Sequence, residues 1–110
     1  MILGAIAQAT KTIKIASSAT VLSTSDPVRV YEDFATLDLI SNRRAEIVAG
    51  RGSRLGAYEL LGFDVSNYEE LFEEKLALLL KINEEERVTA ASKRISASKQ
   101  YATKNEICRC

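Results

Sequence analysis

The chain has 110 residues, enough for one small domain, and its 15 basic and 15 acidic side chains balance, so no global field favours nucleic acid or an acidic partner. Apolar residues make up 46% of it, which supports a core, yet no apolar run approaches the ~18 residues that cross a bilayer. It contains no histidine, which excludes histidine-based triads, histidine general bases and most catalytic zinc sites within the chain, and no metal site is expected.

Residues 2–10 read as the end of a helix with Ile2, Leu3, Ile6 and Ala7 on one side. The stretch is too short for a secretory signal and has no basic residue before it, so a cytoplasmic location is expected. Thr12-Ile13-Lys14-Ile15-Ala16 alternates and is β-branched, which predicts a strand that continues toward Leu22. Ser23-Thr24-Ser25 is a loop. Asp26 is the expected N-cap, and Pro27 occupies the first helical position, where its missing N–H costs nothing. The helix should run to Ser41 with Val30, Phe34, Leu37 and Ile40 as its buried stripe, and Asn42 can take the left-handed conformation that stops it. On this helix Glu32 and Asp38 read as ion-pair partners of Arg29, Arg43 and Arg44. Ala45–Ala49 is a second short strand.

Gly50, Gly52, Gly56 and Gly62 mark a long loop to about Val65, with one helical turn around 57–61. In it Arg51 stands between two glycines. From residue type alone it reads first as a surface arginine pairing with an acid. Arg54 reads as a solvated loop charge, with an anion contact as its alternative. Ser66, with Glu69 three residues on, has the form of a capping box. It opens the most apolar helix, with Tyr68, Phe72, Leu76 and Leu79 on one face and Leu78, Leu80 and Ile82 broadening it. That helix should end near Glu84–Glu86. Composition then shifts to Ala, Ser, Thr and Lys, with six basic residues against one acid from Arg87 onward. Residues 88–110 are therefore expected to be disordered or weakly helical. Cys108 and Cys110 are expected to be free thiols.

Two parallel strands joined by a helix expose their C-terminal ends on one edge, where α/β folds build binding sites. The order of pieces is also specific. Asp26-Pro27-Val28-Arg29-Val30-Tyr31-Glu32-Asp33-Phe34, then Arg44-Ala45-Glu46-Ile47-Val48-Ala49-Gly50-Arg51-Gly52, with Gly4–Ile15 upstream, resembles the bacterial luciferase-like, flavin-dependent monooxygenases. The likeness runs from about residue 2 to Glu86. It sets apart residues 1–87 as a partial barrel and 88–110 as a polar tail outside the family.

The resemblance implies an incomplete TIM (β/α)8 barrel: the third and fourth βα units, two parallel strands with about three helices. It implies reduced flavin mononucleotide (FMN) as cofactor, or a deazaflavin in one branch. In the family a non-prolyl cis peptide ends the third strand and supports the flavin ring, and Ser18-Ala19 matches it. The arginine after the fourth strand lies by the flavin phosphate and matches Arg51, whose forked donors suit a phosphate. Glu69 stands where the luciferase branch has a second phosphate-binding arginine, so phosphate binding there would fall to Tyr68 or to segments outside this chain. Asn42-Arg43 replaces the family's usual glycine. The cofactor-binding candidates are thus Ser18, Ala19, Arg51 and Tyr68, and no catalytic residue is assigned. A barrel needs roughly 250 residues, so the expectation is a truncated monooxygenase, inactive alone, whose intact form oxidises a small organic substrate. The alternative is a non-enzymatic fragment that associates with itself or a partner through exposed apolar faces.

Overall fold

Strand pairing sets the bounds of the central unit. The computed structural model describes residues 2–84 together with the backbone of 87–89 and 101–103. Strand β1 (Ile15–Val21) pairs in parallel with β2 (Ala45–Gly50), from Ile15 opposite Ala45 to Val21 opposite Gly50. The β-branched run starting at Thr12 contributes no strand before Ile15, because β2 begins at Ala45 and offers those residues no ladder partner. The register slips between Ser18 and Thr20, which leaves Ala19 as a bulge.

Helix α1 (Ile2–Ala9) precedes β1, and α2 (Pro27–Ser41) makes the crossover. The Asp26 carboxylate accepts hydrogen bonds from the amides of Val28 (2.8 Å) and Arg29 (3.2 Å), which satisfies two of the helix's orphan donors. At the other end Asn42 and Arg43 both have positive φ, 59° and 62°. The Arg43 amide reaches back to the Asp38 carbonyl at 2.8 Å, closing the helix in the Schellman manner. Val30 and Leu37 are buried and Phe34 is half-buried as the spacing requires, but Ile40 is exposed and the buried face extends to Tyr31 instead.

The ion pairing expected on α2 is realised only between Arg29 and Glu32, at 2.9 Å. Asp38 instead accepts from the Ala45 amide at 3.1 Å. Arg44 fastens the N-terminal end of the sheet. Its guanidinium donates to the carbonyls of Ala7 (2.9 Å), Thr10 (3.0 Å), Ile13 (2.8 Å) and Ser41 (2.6 Å), and to the Thr10 hydroxyl (3.0 Å). Carbonyls at the ends of α1 and α2 lack intrahelical donors, so one cation serves both helix ends and the approach to β1.

Between β2 and the last long helix lie α3 (Leu55–Leu60) and a 3-10 turn (Val65–Asn67). Gly62, at φ 77°, stops α3. The capping box expected at Ser66 is not formed. Asp64 caps the turn by accepting from the Ser66 amide at 2.8 Å, and α4 starts at Tyr68 (Tyr68–Glu84). The carboxylate two residues upstream reached the free amide first. Helix α4 buries Leu71, Lys75, Leu79 and Ile82, and holds Tyr68, Phe72, Leu76 and Leu78 half-buried. The stripe is therefore rotated by about one position from the expected face, with a lysine in it.

Two clusters fill the interior. Leu22, Val30, Tyr31, Leu79 and Ile82 join α2 and α4 beneath the end of β1. Ala7, Ile15 and Leu37 join α1, β1 and α2. In the tail, β3 (Arg87–Thr89) and β4 (Tyr101–Thr103) pair antiparallel. This corrects the expectation of a disordered or weakly helical tail at those residues, where valine, threonine and tyrosine favour extended backbone. The rest of 88–110, including Cys108 and Cys110, lies outside the described residues. Among the described residues no helix is long and apolar enough to cross a membrane.

Candidate flavin site at the C-terminal strand edge

Both strands of the parallel pair end in small residues, and the chain exploits this to bring two loops together. Gly50 lies so close to β1 that a Cβ there would sit 2.8 Å from the Ala19 Cβ. Gly52 has φ 82°, and a Cβ on it would meet Val21 Cγ1 at 2.6 Å. The glycines flanking Arg51 therefore have a defined purpose. They let the loop after β2 press against the bulged end of β1.

Above this contact lies an open cleft of about 610 Å³. Ala19, Val21 and Thr24 come from the end of β1 and its loop, Gly52, Ser53 and Arg54 from the loop after β2, and Ala57, Tyr58 and Tyr68 close it from α3 and α4. The Tyr58 ring is buried and its hydroxyl donates to the Arg51 carbonyl at 2.6 Å, which braces the loop from behind. The Tyr68 ring leans on it, with centroids 5.7 Å apart and planes at 50°. The wall is thus apolar and aromatic, with hydroxyl donors and one guanidinium at the rim.

The four candidates from the sequence fall in different places. Ala19 and Tyr68 line the cleft. Ser18 precedes Ala19 on the strand and is joined to it by a cis peptide bond, at the position expected. Arg51 is turned toward α4. Its guanidinium lies 5.2 Å from the Phe72 ring centroid and 3.9 Å from the Glu69 carboxylate, in a half-exposed position where such an ion pair contributes little. Glu69, where the resemblance leads one to expect an arginine in one branch, thus faces Arg51 across the loop. Arg54, read from sequence as a solvated loop charge, is the cation that lines the cleft.

Sequence reasoning missed Thr24, Ser53 and Tyr58. A tyrosine inside a glycine-rich loop was the available signal for Tyr58. It also missed Lys75, which is buried against the loop that carries Thr24. Its ammonium donates to the carbonyls of Ser23 (2.7 Å) and Ser25 (2.9 Å) and lies 4.4 Å from the Phe63 ring centroid. Burial lowers its pKa from the usual lysine value, partly opposed by the charge of Asp26.

Comparison with known proteins agrees with this architecture. The monooxygenase RslO1 from Streptomyces bottropensis superposes with a TM-score of 0.77 at 19% identity, over 92% of this chain and 29% of its own. The oxygenating constituent of 3,6-diketocamphane monooxygenase from Pseudomonas putida, solved in complex with FMN, superposes with a TM-score of 0.76 at 24% identity, over 93% of this chain and 27% of its own. These likenesses show the fold: the chain has the architecture of part of a (β/α)8 barrel. It spans under a third of the length of either structure. The uncharacterized protein y4wF of Sinorhizobium fredii is 38% identical over 53 residues, covering 48% of this chain and 16% of that protein. The model of the luciferase-like monooxygenase family matches residues 1–106, a range that takes in most of the polar tail as well as the barrel units. The chain belongs to the luciferase-like monooxygenase family.

Proposed function

We propose that the cleft at the C-terminal strand edge is a flavin half-site, built to hold FMN in its reduced form, and that the intact protein is a flavin-dependent monooxygenase acting on a small organic substrate. The observation that carries this reading is the composition of the cleft. An apolar and aromatic wall from Ala19, Val21, Ala57 and Tyr68 suits a flat ring system, while Arg54 and the hydroxyls of Thr24 and Ser53 suit a phosphate. Such a donor set fits FMN. A deazaflavin would meet the same wall.

In this reading Ser18 and Ala19 support the ring from the bulged strand end, and Tyr68 flanks it. Arg54 takes the phosphate. Arg51, loosely held by Glu69, adds a second cation on the other side of Gly52. The bound flavin, when reduced, supplies the electrons that activate oxygen. This chain's own residues bind and orient it, and the packing of Gly50 and Gly52 on β1 keeps the two loops at a fixed separation. With two parallel strands and no histidine, the chain alone binds flavin without completing turnover.

Titrating FMN with the purified chain, by quenching of flavin fluorescence, tests the proposal. Arg54→Ala should weaken binding about tenfold, the worth of one charge-assisted contact to phosphate. Arg51→Ala should weaken it less. An Arg54→Ala variant with unchanged affinity would refute the placement of the phosphate, and reduced flavin consumed with a co-substrate faster than free flavin would refute the lack of turnover.

A second reading rests on a groove of about 900 Å³ between α2, β2 and α4. Ile47, Leu39 and Leu80 line it while 38%, 66% and 52% exposed. If a second copy covers this groove, the chain is an association module. Light scattering across micromolar concentrations separates the readings: a strict monomer removes the second.

A further inference from the structure

The loop between β1 and α2 brings Thr24 to the cleft, yet little in the loop itself fixes its path. Its internal hydrogen bonds are the Ser25 amide on the Leu22 carbonyl at 3.2 Å and the Ser25 hydroxyl on the Val21 carbonyl at 2.7 Å. Two further contacts come from elsewhere in the chain. Lys75, half the chain away on α4, is 4% exposed and donates to both the Ser23 and Ser25 carbonyls, the residues on either side of Thr24. Phe63 covers the ammonium from the α3–α4 connection. A lysine in the middle of an apolar helix face is costly to bury, and methionine would fill the same space without that cost. What lysine adds is a pair of directed, charge-assisted bonds to two carbonyls that would otherwise lack donors.

We infer that Lys75 is a positioning residue of the cleft: its ammonium, clamped on the carbonyls of Ser23 and Ser25, holds Thr24 in the cleft lining that it shares with Arg54. The consequence for ligand affinity rests on the flavin reading above; the clamp itself does not.

The test uses three forms of the full chain. Lys75→Met keeps the stem and removes the donors. Lys75→Cys, in a Cys108→Ser, Cys110→Ser background, is alkylated with 2-bromoethylamine in denaturant and refolded, which restores an ammonium at nearly the same reach. Leu37→Ala loosens the other core cluster, which contains no residue of the loop. Lys75→Met should speed exchange of the Ser25 amide about tenfold and weaken FMN binding by a similar factor, as expected for losing the charge-assisted contacts. The β2 amides should keep their protection, the alkylated variant should recover both losses, and Leu37→Ala should show neither under conditions where it is folded. Unchanged Ser25 exchange in Lys75→Met overturns the clamp, as does failure of the alkylated form to restore it. If the wild-type chain binds no FMN, the flavin reading fails, and faster Ser25 exchange in Lys75→Met still supports the clamp.

Discussion

Substituting Gly52 by alanine should destabilise the protein by about 2 kcal/mol, in two separable parts. The residue has φ 82°, where a side chain with a Cβ costs about 1 kcal/mol over glycine. The new methyl would also stand 2.6 Å from Val21 Cγ1 and 3.5 Å from Cγ2. Val21 is 36% exposed, so it can rotate away, and the overlap should cost about 1 kcal/mol, at the low end for overpacking. Val21→Ala alone should cost under ~1 kcal/mol, because the valine is only partly buried. The double variant removes the overlap but not the backbone penalty. It should therefore be about 1 kcal/mol more stable than the two single losses sum to. With no tryptophan in the chain, urea unfolding followed by far-ultraviolet circular dichroism is the suitable assay. Strict additivity of the two substitutions would refute the close approach of the two loops, and with it the geometry of the cleft.

Other outcomes follow from single contacts. Arg44→Ala should cost roughly 3 kcal/mol in urea unfolding, since it strips five hydrogen bonds from the base of the unit, each worth about 0.5–1.5 kcal/mol net; a loss below that of an ordinary surface residue would contradict its role. Ser23→Ala should leave stability unchanged or raise it by up to ~1 kcal/mol, because the fully buried Ser23 hydroxyl has no partner among the described residues. Arg43→Gly should stabilise by about 0.5 kcal/mol by relieving its positive φ, read from the same unfolding midpoint. The last prediction is a pH dependence. Burial lowers the pKa of Lys75, so between that lowered value and 10.5 the unfolded chain binds more protons than the folded one. The unfolding free energy of wild type relative to Lys75→Met should therefore rise as pH approaches 10.5, and a fall would contradict the burial of a charged lysine.

The helix boundaries were legible because their signals are local. Asp26-Pro27 and Asn42 carry their cap geometry in their own residue types, and the structure places both as read. Features that depend on competition between neighbours were not. Asp64 accepts from the Ser66 amide, the donor that the Glu69 carboxylate would take in a capping box, so two carboxylates competed for one amide. The face of α4 was misjudged by one position because a lysine, counted as polar, is buried by two carbonyls 50 and 52 residues away in sequence. The site divides in the same way. Ala19 and Tyr68, which the resemblance proposed, both line the cleft. That Arg54 lines the cleft while Arg51 faces Glu69 could not be read, since it depends on how the two loops and α4 meet in space. Glycine spacing marked the loop as special, but only the contact with Ala19 and Val21 explains which glycines matter.

The central claim is that the C-terminal strand edge of this chain holds a flavin. Its most direct test is an NMR titration of the isotope-labelled chain with FMN, following backbone amides. The account predicts saturable shifts at Ala19, Thr24, Gly52, Arg54 and Tyr68, with the amides of α1 unmoved. No shifts at millimolar FMN, or shifts confined to the groove around Tyr31, Leu76 and Leu80, would contradict it.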